Sequence, residues 1–196
     1  MPITRRDILK SLTITAVASS VLRVIPLEAA EYAHRMVHAE KAETHAYTPK
    51  FFSAHGYKTL QSLCQTIIPS DAGAKGAMEA GAPEFIDLIT SESKDYQVAL
   101  GGGLMWLDNI CVDRYGKAYL ECPPEQRKEI LDLIAYRKNL NKDPSLGQGI
   151  EFFSLLRKLT ADGFFTSEIG IEYLGYIGNT YVSDFPGCPP VPEANS

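Results

Sequence analysis

The period of the apolar residues restricts the fold of this chain more than any other feature. Leu60, Leu63, Cys64, Ile67 and Ile68 recur at i, +3, +4, +7 and +8. Phe152, Leu155, Leu156 and Leu159 repeat the pattern at i, +3, +4 and +7. Each set falls on one stripe of a 3.6-residue helix, as in an element that buries a single face. No strand-like alternation occurs before residue 164. The class expected is therefore all-α: a single compact domain of about five helices.

Local punctuation divides these helices. Ser53 is placed to cap the first and Pro69 to stop it. Pro83 suits the first turn of a short helix bearing Phe85, Ile86 and Ile89. Pro123-Pro124-Glu125 opens another, with Ile130, Leu133 and Ile134 facing inward. Residues 70–82 and 139–148 read as loops, and Gly163 reads as the residue that ends the last helix. Between them, Leu100, Leu104, Leu107 and Cys111 mark a longer helix over 94–115. Gly101-Gly102-Gly103 interrupts it at about 1 kcal/mol per glycine relative to alanine. Such a run ends the helix, splits it in two, or admits another backbone at close range.

The first thirty residues read differently. Arg5-Arg6 is followed by Asp7, Ile8, Leu9 and Lys10, then by an uncharged and weakly apolar run over 11–22. This is the basic and apolar layout of an export signal headed by a twin-arginine pair. The run is too short to cross a bilayer, which takes about 20 apolar residues. Residues 1–30 are read as the leader, 31–50 as a polar, alanine-rich linker or frayed helix, and 51–196 as the helical domain.

Charge narrows the partners. The chain carries −5 overall, while Arg5, Arg6, Lys10 and Arg23 outweigh Asp7 and Glu28 in the leader. The remainder is near −7, which argues against nucleic acid and against an anionic membrane surface. Membrane association is expected only through the signal or through a complex. His34 and His38, four apart, would share a helical face, but no third metal ligand has useful spacing. The sequence lacks CxxCH, a cysteine cluster, a Rossmann glycine fingerprint and a GxSxG elbow. His55 is the one histidine inside the domain, and the pairs Asp108/Asp113 and Glu125/Glu129 are assigned to solvent faces. No catalytic, cofactor-binding or metal site is expected in this chain.

Two features remain. From residue 164 onward the chain reads as an irregular tail, with Phe164, Phe165, Tyr173, Tyr176, Tyr181 and Phe185 among glycines and prolines. Phe164 and Phe165 are assigned to the core, and Tyr173, Tyr176, Tyr181 and Phe185 to a partner interface, where buried aromatics are favoured. Of the four cysteines, Cys64 and Cys111 fall on apolar stripes, as buried thiols or a pair between helices. Cys122 and Cys188 lie beside prolines and are the candidates for a surface disulfide.

The segments FFSAHGYKTLQSLCQTIIPSD, EAGAPEFID, GLMWLD, RYGKAY, FFSLLRKLTADGFFTSE and YIGNTYVSDFPGCP, in this order, resemble the gluconate 2-dehydrogenase subunit 3 family. The resemblance spans about residues 51–190 and extends to the leader, although Ile8 stands where such signals more often carry Phe. It implies a non-catalytic small subunit of a periplasmic dehydrogenase complex. A large subunit of the glucose–methanol–choline type would hold FAD and oxidise a sugar or sugar acid. A cytochrome c subunit with haem would accept the electrons. The small subunit would escort its folded, flavin-loaded partner through twin-arginine export. The alternative is a stand-alone exported helical protein that binds a ligand or metal through His34, His38 and the tail aromatics.

Overall fold

The computed structural model describes residues 25–176 and residue 178; the leader, Tyr181, Phe185 and Cys188 lie outside them. Among the described residues there is no strand. Seven helices carry the fold: α1 (Leu27–Thr44), α2 (Ala54–Ile67), α3 (Ala82–Ser91), α4 (Gly102–Tyr115), α5 (Pro124–Ile134), α6 (Gly147–Phe165) and α7 (Glu168–Tyr173). An α-turn (Lys94–Tyr96) and a π-turn (Gln97–Gly101) lead without a break into α4.

α6 is the central element, with α3, α4, α2 and α7 against it. Its Phe152, Leu156 and Leu159 meet Leu60, Leu63 and Cys64 of α2, Phe85 and Ile86 of α3, and Leu104 and Leu107 of α4 in one core. The expected punctuation holds at α2, where Ser53 Oγ accepts the Gly56 N–H at 3.1 Å. The 70–81 loop is ordered by its own acids. Asp71 Oδ1 accepts the N–H groups of Gly73 and Ala74, both at 2.8 Å, and Glu79 takes Ser70 Oγ and the Gly76 N–H.

Two sequence expectations are overturned. Residues 31–44 are neither a linker nor a frayed helix but most of α1, which packs on α3. Its buried face is Ala29, Ala30, Ala33 and Val37, side chains too small to mark a stripe by hydrophobicity. Nor does Gly163 end α6. The helix runs through it to Phe165, and a Cβ there would come within 2.9 Å of Phe85 Cδ1. This glycine serves close packing of α3 on α6.

Within the triple glycine, Gly103 has the same origin. A Cβ on Gly103 would stand 2.0 Å from Phe152 Cδ2 of α6, and one on Gly149 of α6 would stand 2.3 Å from the Trp106 ring of α4. Each helix thus presents a ring to the other's glycine, and this reciprocal contact lets the axes approach. Packing here outweighs propensity, so the helix continues. Gly103→Ala gains about 1 kcal/mol of helix propensity but forces Phe152 to move, and overpacking costs about 1–3 kcal/mol. A net loss of stability in urea unfolding is expected. Gly102→Ala, whose Cβ meets nothing closer than Gln148 Nε2 at 3.6 Å, is the control and should be neutral or stabilising. Equal behaviour of the two variants would contradict this helix crossing.

Candidate interaction surface

A polar seam joins α1, α2 and α3. Asp87, on α3, is fully buried. Its carboxylate accepts the Tyr47 hydroxyl at 2.8 Å and the N–H groups of Lys50, Phe51 and Phe52 at 2.5, 3.2 and 2.9 Å. These four donors match the acceptor capacity of an ionised carboxylate. They fix the segment that joins α1 to α2. Burial, and after it the Asp87 charge, pushes the Tyr47 hydroxyl well above its ordinary pKa. Lys41 Nζ, on α1, meets Glu84 Oε1 of α3 at 2.5 Å.

His34 belongs to the same packing and is not a solvated histidine. Its ring stacks on Phe85 with centroids 5.0 Å apart, and Nε2 lies 3.0 Å from Thr166 Oγ1 at the end of α6. Burial, helped by His38, lowers its pKa to about 4. Its exposed neighbour His38 does not share this environment. Among the described residues, no group of three or more His, Cys, Asp or Glu is placed to hold a metal.

The solvent-face assignment of Asp108 is corrected. Asp108 Oδ2 lies 2.7 Å from His55 Nε2 of α2, and Oδ1 accepts the Tyr119 N–H at 3.0 Å. One carboxylate thus joins α2, α4 and the 3-10 turn Tyr119–Glu121. The pair borders a cavity of about 220 Å³ together with Phe51, Ser53 and Met105. Ser53 is the cap of α2, so its hydroxyl oxygen is already engaged. Sequence reasoning missed the Asp108 role, although an acid ahead of a returning loop is the signal that could have found it.

The cysteines also differ from expectation. Cys122 is buried, not at the surface, and its Sγ lies 3.7 Å from Lys117 O. The side chain next to it is Cys111, whose thiol is pushed up to about 12, first by burial and then by Cys122. Cys64 sits apart against Thr160 Oγ1 at 3.6 Å. All three are free thiols in the structure.

The tail begins later than expected. Phe164 and Phe165 end α6, and Ser167 Oγ caps α7 by accepting the Gly170 N–H at 3.0 Å. Phe164 is core, at 3% exposed, but Phe165, assigned with it, is 42% exposed. Tyr173 and Tyr176 are 64% and 57% exposed. Ile171 and Leu174, which sequence reasoning did not single out, are exposed beside them. Of twelve exposed large apolar side chains among the described residues, five fall in 165–176. That makes α7 and its flanks the densest apolar surface described, and such concentrations mark interaction sites.

Among the described residues, the helical core carries an exposed apolar face at one end. The sequence model of gluconate 2-dehydrogenase subunit 3 matches residues 54–187. The chain belongs to the gluconate 2-dehydrogenase subunit 3 family, whose members are subunits of dehydrogenase complexes. No curated protein and no solved structure matches it.

The His34 environment gives a pH dependence. A histidine of pKa about 4 folded and 6.5 unfolded binds more protons when unfolded between those values. Its contribution is complete above about pH 6.5 and is lost as pH falls toward 4. The loss is about 1–2 kcal/mol by pH 5, discounted for water at the ring edge. His34→Gln should remove that share of the acid sensitivity. Identical pH profiles for the two proteins in denaturant titrations would contradict it.

Proposed function

We propose that this chain is the non-catalytic small subunit of an exported FAD-dependent dehydrogenase. It docks the catalytic flavoprotein through α7 and the chain that follows, stabilises it, and carries it through twin-arginine export to the periplasm. The partner, of the glucose–methanol–choline type, holds the flavin and oxidises a sugar or sugar acid, and a haem-bearing cytochrome c takes the electrons. The observation that carries the reading is the coincidence of family membership with the exposed apolar face at 165–176. Tyr173 and Tyr176 lie on that face, and Tyr181 and Phe185 extend the same aromatic series in sequence. The leader supports export of folded cargo, because Arg5-Arg6 with Ile8 and Leu9 heads a weakly apolar run.

Tyr173→Ala and Tyr176→Ala test the interface. Both should weaken capture of the flavoprotein. Tyr176→Ala should leave the melting temperature of the isolated subunit nearly unchanged, and Tyr173→Ala, whose ring meets Phe164 edge-on with centroids 6.1 Å apart, should lower it only slightly. Truncating an interface hot spot costs about 2 kcal/mol or more, roughly thirtyfold in affinity. Normal capture with a lowered melting temperature would show that these rings cover the subunit's own core.

Export is tested separately. Lysine keeps the charge but lacks the planar fork of the guanidinium. Replacing both Arg5 and Arg6 by Lys should strand this chain and the flavoprotein in the cytoplasm. Dehydrogenase activity reaching the periplasm at the unsubstituted level would refute the escort role.

A further inference from the structure

Cys111 lies on α4 and Cys122 just after the 3-10 turn Tyr119–Glu121, and the two side chains are 0% and 2% exposed. The chain between them doubles back at Gly116, whose φ of 71° is the left-handed conformation that glycine favours. The Gly116 N–H bonds Val112 O at 2.8 Å, and Asp108 Oδ1 then takes the Tyr119 N–H at 3.0 Å. These two bonds lay the returning segment along the last turns of α4. They bring the Cys122 side chain beside that of Cys111 within the one core. Arg127, with its guanidinium carbon 5.8 Å from the Tyr119 ring centroid, covers the same turn from α5. Cys64 is held elsewhere, against Thr160.

We propose that Cys111 and Cys122 are a disulfide site, closing the turn between α4 and α5 when the chain meets an oxidising medium. The bond forms by exchange with a small-molecule disulfide such as oxidised glutathione or with a protein dithiol oxidase. The two thiols give up their protons and two electrons, one S–S bond forms between them, and the oxidant's S–S bond is split into two thiols. Burial of both sulfurs sets when this happens. Attack needs a thiolate and access, and the closed turn offers little of either. The pair therefore joins while the turn is open, and the closed turn then shields the bond from reductants. A short ring confines the unfolded chain, so the joined form is the more stable. The site does not depend on the escort reading, since any disulfide oxidant of sufficient potential completes it.

The test uses the full-length chain, reduced, opened in denaturant and refolded in a mixture of oxidised and reduced glutathione. Remaining thiols are alkylated and the refolded monomer is mapped by mass. The expected product is a peptide pair joined through Cys111 and Cys122, lighter by two hydrogens, with Cys64 alkylated. Its melting temperature should stand about 5–10 °C above that of the same sample after reduction. Cys188→Ser should keep both the crosslink and the shift. Alkylation of both Cys111 and Cys122 in the refolded monomer overturns the proposal, as does a crosslink from Cys122 to Cys188 or to Cys64.

Discussion

The arrangement of the first three helices depends on one buried carboxylate. Asp87 sits on α3 with no exposure and accepts one hydroxyl and three main-chain N–H groups from 47–52. A buried charge is tolerable when its lone pairs are filled, and removing its partners leaves it with the full desolvation penalty. The segment between α1 and α2 has few other ways to satisfy its N–H groups inside the protein. Its conformation and the filling of the Asp87 lone pairs therefore require each other. Through this contact α1 is held over α3, Ser53 is set to cap α2, and Phe52 is delivered to the core.

The second constraint is the approach of α4 and α6. Phe152 over Gly103 and Trp106 over Gly149 are mutually exclusive with any side chain at the glycines. The flat rings then fill the space that two glycine faces leave open. Gly163 repeats the device against Phe85 of α3. The central helix α6 is thus gripped on two sides by contacts that need glycine, and the one at Gly103 holds the glycine-rich start of α4 in helical form.

Much of this was legible in the sequence. The 3.6-residue stripes gave the helical class and placed α2, α5 and most of α6, because large apolar side chains at that period have no other regular use. α1 escaped because its buried face is alanine and one valine, and its polar face dominates the average. Gly163 was misread because a glycine that ends a helix and one that lets a helix approach look alike until the neighbour is known. The motifs that carried the family resemblance acquire physical meaning: EAGAPEFID ends on Asp87, GLMWLD holds Gly103 and Asp108, and GFFTSE supplies Thr166 to His34 and the Ser167 cap. Cys122 looked superficial beside its prolines. Its burial is set by the turn over α4, a tertiary fact without a local signature.

The described residues form a helical bundle with one crowded apolar end, in a family of dehydrogenase subunits. Phe165, Ile171, Tyr173, Leu174 and Tyr176 crowd that end. Val98, Met105 and Val112, seven residues apart, form a sparser exposed line along the π-turn and α4. The two faces are alternatives for the partner, and the account assigns it to the first. Amide hydrogen exchange of the full-length chain, alone and bound to the proposed flavoprotein partner, separates them most directly. The account predicts slowed exchange on binding at 165–176, with 98–112 unchanged; slowing confined to 98–112 would contradict it.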